Sequence, residues 1–123
     1  MNIITNPQMP AANGHYSMCI EHNGLLYLSG QLPFEPERKT LPQGIEKQTD
    51  QVLKNMDRIL LAAGSHKSKV IQVRIYLSDI HDWEAVNQIY ARFFGDHKPA
   101  RCVVPVATLH YGALLEIEVT AAQ

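Results

Sequence analysis

The chain has 123 residues, of which 46% are hydrophobic, and this composition suits one globular domain over residues 1–123. Eleven basic and twelve acidic residues give a formal charge of −1, so no excess of positive charge is available to bind a nucleic-acid backbone. The N-terminal residues lack the basic start and apolar run of a signal peptide, and no later stretch approaches about 18 apolar residues. We therefore expect a cytoplasmic protein that binds neither nucleic acid nor membrane.

A β-hairpin is the first element that the sequence predicts. The dipeptide Asn23-Gly24 is a turn signal between two runs of strand-forming residues, 17–22 and 25–28. The second strand is expected to end at residues 29–31, where Ser, Gly and Gln follow the apolar run.

Two amphipathic helices with a strand between them come next. Apolar residues recur every three or four positions over 45–63, and Gly64 supplies a natural stop. Residues 70–77 alternate between apolar and polar side chains, which predicts a strand. The apolar spacing over 83–93 predicts a second helix that ends near Gly95.

Two further strands, 101–107 and 114–121, are predicted on either side of a turn-like segment at 110–112. Pro105 lacks a backbone N–H, so its strand is expected to lie at a sheet edge or to contain a bulge. This order of strands and helices indicates an α+β or α/β sandwich with both helices on one face of the sheet. Solvent or other subunits must cover the other face, and subunits packed sheet against sheet would form clefts at their seams.

Arg101 opens a predicted strand and shares one face of it with Val103 and Pro105. A charged residue at a strand end usually reaches solvent. Alternatively, the guanidinium fork of Arg101 binds a carboxylate through two charge-assisted hydrogen bonds, each worth roughly 1.5 to 3 kcal/mol.

Glu116 and Glu118 share the polar face of the last predicted strand, a pattern that is typical of solvated surface. A carboxylate whose pKa is raised by burial could instead deprotonate a water molecule. If the last two strands formed a simple hairpin, Arg101 would lie roughly 17 Å from Glu116, at about 3.4 Å per residue. A joint site therefore requires another topology or a second subunit.

Four more residues are candidates for lining a ligand site. The ring of Tyr16 could cap the core, or its hydroxyl could bind a ligand. Gly30, which follows Ser29, would allow a backbone amide to approach a ligand closely, although a turn explains this glycine equally well. Asn87 lies on the second predicted helix, where its amide could bind a partner across a seam or border the apolar stripe.

The cysteines and histidines suggest neither a disulfide framework nor a metal site. Cys19 and Cys102 belong to no CxxC pair, so we expect two reduced thiols. Cys102 shares a strand face with Val104 and Val106, which predicts buried packing rather than nucleophilic catalysis. The six histidines never fall at HxH or HxxxH spacing, so no metal is expected.

The sequence resembles the RidA/YjgF family over almost its whole length. Single fragments are weak evidence, but their order and spacing are specific, above all the Pro-Ala-Arg run followed by Glu-Ile-Glu. The shared fragments are Gly14-His15-Tyr16-Ser17, Ser29-Gly30-Gln31, Gln48, Asn55, Ala63-Gly64, Tyr76-Leu77-Ser78-Asp79, Asn87-Gln88-Ile89-Tyr90, Phe93-Phe94, Pro99-Ala100-Arg101 and Leu115-Glu116-Ile117-Glu118.

The resemblance implies a fold like Bacillus chorismate mutase, with a mixed six-stranded sheet and two helices on one face, assembled as a homotrimer with ligand clefts between subunits. It also implies cofactor-free hydrolysis of 2-iminobutanoate and 2-iminopropanoate, released by pyridoxal-phosphate-dependent dehydratases, to 2-oxo acids and ammonia. By this resemblance Arg101 holds the substrate carboxylate, and Glu116 positions or activates the attacking water. The other cleft residues would be Tyr16, Ser29, Gly30 and Asn87.

The sequence departs from the family pattern at three places. Val103 stands where a cysteine is common, His15 replaces a proline, and His110-Tyr111 replaces a Leu-Pro turn context. One alternative function is hydrolysis of a larger enamine acid, for which His15 and Tyr111 would re-line the cleft. Another is non-enzymatic, regulatory binding of small carboxylates. The near-neutral charge gives no support to ribonuclease activity, which has been attributed to some relatives.

Overall fold

In a computed structural model, which describes residues 1–9 and 11–123, six strands form one mixed sheet that carries two helices on one face. The strands are β1 (Asn2–Ile3), β2 (Cys19–His22), β3 (Leu25–Gln31), β4 (Val70–Leu77), β5 (Ala100–Pro105) and β6 (Leu115–Ala122); the helices are α1 (Ile45–Ala62) and α2 (Trp83–Phe94). This is the α+β architecture that the sequence and its family resemblance predict, with the short β1 as the sixth strand.

The order of strands across the sheet is β1-β2-β3-β6-β4-β5. β4 and β5 are parallel, whereas the other neighbouring pairs are antiparallel. β5 and β6 therefore do not form a hairpin, because β4 lies between them in the sheet. The prediction that Pro105 lies in an edge strand is confirmed. β5 ends two residues earlier than expected, because its neighbouring strand β4 ends at Leu77. The carbonyl of Leu77 accepts a hydrogen bond from the N–H of Val106 at 2.8 Å.

The helices cover one face of the sheet because each presents an apolar stripe to it. α1 buries residues that recur at helical spacing, among them Val52, Met56 and Ile59. Gly64 follows the helix with φ +78°, a conformation that glycine adopts without strain. No helix in the described ranges is long and apolar enough to cross a membrane.

The opposite face of the sheet, which we term the open face, carries no helix. It displays polar side chains from β4 and β6, including Arg74 and Glu118, beside the exposed Tyr27 and Val104. Cys102 lies on this face and is exposed, so the prediction that it is buried is wrong. Strand alternation correctly predicted that Cys102 and Arg101 point to opposite faces of β5. The helices cover the face to which Arg101 points, so Cys102 is left exposed.

Candidate active site

Arg101 lies on the helix-covered side of the sheet. Its backbone pairs with Val73 of β4, a core residue that faces the helices. The Nη1 atom donates a hydrogen bond to Oδ1 of Asn87 on α2 at 3.0 Å. The guanidinium carbon lies 4.7 Å from the ring centroid of Tyr90 and 5.6 Å from that of Trp83. We call these four side chains (Arg101, Asn87, Tyr90 and Trp83) the arginine half-site.

The arginine half-site presents a cation on an aromatic platform. Tyr90 is 7% exposed, and its hydroxyl is buried without a hydrogen-bond partner among the described residues. Burial raises the pKa of Tyr90 to about 12, so the ring stays neutral beneath the cation. Only one hydrogen bond of the Arg101 side chain is present within the described residues, which leaves guanidinium donors for a bidentate carboxylate.

Glu116 lies on the open face, where its backbone pairs with Tyr76 of β4. On the other side of β6, the register with β3 shifts between Leu28 and Gln31, and Gly30 lies in this irregularity. A Cβ at position 30 would overlap the Oε1 atom of Glu116. The glycine is thus required here for close approach rather than for a turn.

The carboxyl of Glu116 binds a proton more tightly than an ordinary glutamate. Burial is the main cause of its raised pKa, and the nearby charge of Glu118 raises it further, whereas His110 acts in the opposite direction. Glu118 itself is paired with Arg74, with Nη1 and Oε1 3.1 Å apart. A carboxylate of raised basicity is suited to take a proton from water.

Ser29 precedes Gly30 near the end of β3 and lines a pocket with Arg74 and Glu118, whereas Tyr16 lies in the segment before β2. The Ser29 hydroxyl donates to the carbonyl of Ser17 at 2.6 Å, so its proton is engaged while its oxygen can still accept a hydrogen bond. The ring of Tyr16, the residue before Ser17, is exposed and packs over Gly14. We call Glu116, Gly30 and the adjacent Ser29 the glutamate half-site.

The two half-sites face away from each other within one chain. Arg101 is level with Val73 on β4 and Glu116 is level with Tyr76, and residues three apart on a strand point to opposite faces. The predicted residues are therefore brought together in two groups rather than one. Asn87 joins Arg101, whereas Gly30 packs against Glu116 and Ser29 is adjacent to Gly30 in β3.

Comparison with known proteins shows to which family the chain belongs. Residues 6–123 match the family described as Endoribonuclease L-PSP, which is the YjgF/RidA family. The chain belongs to the RidA/YjgF family. It is 43% identical to Reactive Intermediate Deaminase A, chloroplastic, of Arabidopsis thaliana over 120 residues, which are 97% of this chain and 64% of that protein. The chain thus spans less than two thirds of the length of this plant relative.

Two further comparisons cover nearly the whole of both proteins. This RidA/YjgF chain is 38% identical to the 2-iminobutanoate/2-iminopropanoate deaminase of Rattus norvegicus over 122 residues, or 98% of the chain and 89% of the relative. The crystal structure of Escherichia coli TdcF with bound serine superposes with a TM-score of 0.93 at 30% identity, covering 100% of this chain and 99% of that one. The family therefore includes deaminases.

Sequence reasoning about this RidA/YjgF protein missed the aromatic platform under Arg101. Trp83, Asn87 and Tyr90 are spaced by four and three residues on α2, so their common face was visible in the sequence. What that spacing could not reveal is that β5 runs beside this face. No group of three or more His, Cys, Asp or Glu side chains in the described part of the chain is arranged to hold a metal ion.

Proposed function

We propose that this protein hydrolyses small 2-imino acids, with 2-iminopropanoate and 2-iminobutanoate as representatives, to 2-oxo acids and ammonia. The observation that carries the proposal is the placement of Arg101 and Glu116 on opposite faces of one sheet. In a homotrimer, three copies associated in a ring would bring the arginine half-site of one copy against the glutamate half-site of the next. Each seam would then contain one complete cleft.

Arg101 binds the carboxylate of the substrate. Its side chain is held by Asn87 and by the faces of Tyr90 and Trp83, so little rotamer freedom is lost when a ligand binds. The serine bound to the structurally similar TdcF carries the same α-carboxylate. A small carboxylate is therefore the partner that we assign to this half-site.

Glu116 activates the water that attacks the imine carbon. The carboxylate accepts a proton as the water oxygen bonds to C2, which yields a carbinolamine, and that proton then passes to the nitrogen. The same carboxylate then carries the hydroxyl proton of the carbinolamine to the nitrogen, the C2–N bond breaks, ammonia leaves, and the C2 oxygen becomes the carbonyl of the 2-oxo acid. Water is the only co-reactant, so the reaction requires no cofactor. The raised pKa of Glu116 and its packing against Gly30 support this role.

The open face supports the assembly on which the proposal depends. It exposes Tyr27 and Val104 next to charged and polar groups, and no other part of the described chain covers it. A second copy that covers this face would remove these apolar side chains from water. The same copy would bring an arginine half-site to Glu116.

The function is tested by generating imine in place and following its loss. A pyridoxal-phosphate-dependent dehydratase acting on serine or threonine supplies the two imines, and the unmodified protein is expected to accelerate their hydrolysis. The variant Arg101→Ala should lose this acceleration, whereas Arg92→Ala, which removes an exposed arginine of α2, should retain it. Binding of 2-oxobutanoate in calorimetry without any imine hydrolysis would instead favour a regulatory carboxylate-binding protein.

A further inference from the structure

The turn that precedes β6 contains a strained aromatic residue. Tyr111 lies in the short 3-10 segment His110–Gly112 and has φ +60°, a backbone conformation that bulky residues rarely adopt. Its side chain is 63% exposed, so burial in the core of this chain does not account for the tyrosine. Strained residues of this kind cluster at ligand sites.

The position of Tyr111 is fixed by its neighbours. Its ring meets Phe34 edge-on at a centroid distance of 5.2 Å and lies 3.8 Å from the ring of His110. The chain after the turn is anchored, because Ala113 is buried and the N–H of Leu114 donates to Oε1 of Gln48 at 2.8 Å. The three rings of Phe34, His110 and Tyr111 form what we call the aromatic wall.

The aromatic wall lies at the end of the sheet that holds Glu116. Phe34 follows β3, whose last residue Gln31 pairs with Ile117, the neighbour of Glu116. The turn at His110 runs into β6 just before Glu116, and the charge of His110 acts on the Glu116 carboxyl. A substrate whose C2 atom is held at Glu116 would therefore lie near His110, whose ring packs on that of Tyr111.

We propose that the aromatic wall binds the side chain of the substrate and makes the protein prefer 2-imino acids with aromatic side chains over those with a methyl or ethyl group. This inference rests on the proposed function and specifies its substrate class. A methyl or ethyl group is too short to bury much surface against three rings, whereas a benzyl group can stack edge-on against them. The reaction is unchanged: water adds at C2, and the products are an aromatic 2-oxo acid and ammonia.

The test compares two imines under the same conditions. A flavin-dependent amino-acid oxidase with O₂ and catalase generates the imine of phenylalanine or of alanine, and the kcat/KM for each is measured. The ratio of the aromatic to the methyl substrate is expected to exceed one for the unmodified protein. In Tyr111→Asn it should fall by about tenfold, the upper range for an aromatic pair. Asparagine tolerates the positive φ of this position.

The control variant is Leu61→Gln, which removes an exposed apolar side chain from α1 and should leave the ratio unchanged. Thermal unfolding of both variants shows that any change in ratio does not come from loss of the fold. Turnover of the alanine imine with a ratio below one, or with a ratio that Tyr111→Asn does not alter, overturns the aromatic preference and leaves the proposed function standing. Failure to hydrolyse either imine overturns both.

Discussion

Arg101 and Glu116 lie on opposite faces of the sheet, although only β4 separates the strands that carry them. The separation follows from register, because Arg101 is level with a core residue of β4 and Glu116 with a residue of the open face. Motion of side chains cannot bring the two groups together through a hydrogen-bonded sheet. An enzyme that needs both must use two copies of the chain.

Replacing Arg101 by lysine should weaken substrate binding even though the charge is kept. Lysine offers no planar fork and stacks less well on Tyr90 and Trp83. We expect KM for the imine to rise by about tenfold or more, which corresponds to one charge-assisted hydrogen bond. Steady-state kinetics measure this, with Arg92→Lys as the matched control. An unchanged KM would show that Arg101 does not bind the carboxylate.

The charge of Glu118 should set the acid limb of the pH profile. In the proposed mechanism Glu116 acts as a base only when ionised, so activity should fall as the pH drops through its raised pKa. Glu118→Gln removes a negative charge that raises the pKa of Glu116. The acid limb of the pH profile of kcat/KM should therefore move to lower pH. Asp50→Asn, an equal change of charge on α1, should leave the limb in place. A shift to higher pH would contradict the role of Glu116.

Gly30→Ala should impair the chemical step more than binding. The added Cβ overlaps Oε1 of Glu116 and displaces the carboxylate. A misplacement of about 1 Å can cost about a hundredfold in rate, so we expect kcat to fall by this order. KM should stay nearly constant, because in the proposed mechanism Arg101 and not Glu116 holds the carboxylate of the substrate. A rise in KM with kcat unchanged would mean that Gly30 serves binding and not the position of Glu116.

The hydroxyl and the ring of Tyr90 should have separable effects. Tyr90→Phe removes a buried hydroxyl that has no hydrogen-bond partner in residues 1–9 and 11–123 and should raise the free energy of unfolding by about 1 kcal/mol. Tyr90→Leu removes the surface under Arg101 and should raise KM by about two- to thirtyfold, the range of a cation–π contact. Chemical denaturation and kinetics measure the two effects. A large loss of stability in Tyr90→Phe would show that the hydroxyl has a partner in the assembled protein.

Periodicity predicted the elements that are long and have one buried face. α1, β4 and α2 lie within about one residue of their expected bounds because each presents a regular apolar stripe to the core. β1 was missed by this reasoning, since a pair of residues has no period. The edge position of β5 was predictable from a single residue, Pro105, which lacks an amide donor.

The site was less accessible from the sequence, because it depends on which elements are neighbours. Strand alternation placed Arg101 and Cys102 on opposite faces but could not tell which face the helices cover, so Cys102 was wrongly predicted to be buried. The insertion of β6 between β3 and β4 is a long-range pairing without a local signal. The positive φ of Tyr111 could not be predicted from the sequence, because glycine is the residue expected to adopt that conformation and Gly112 stands next to it.

Mixing two inactive variants tests the shared site most directly. Arg101→Ala keeps Glu116, Glu116→Gln keeps Arg101, and each variant alone should hydrolyse imine no faster than buffer. After an equimolar mixture is unfolded and refolded together, a ring of copies associated head to tail joins an intact Arg101 to an intact Glu116 at about a quarter of its seams. We predict recovery of about a quarter of the unmodified activity under that arrangement. A mixture no more active than its separate components would contradict a site shared between copies.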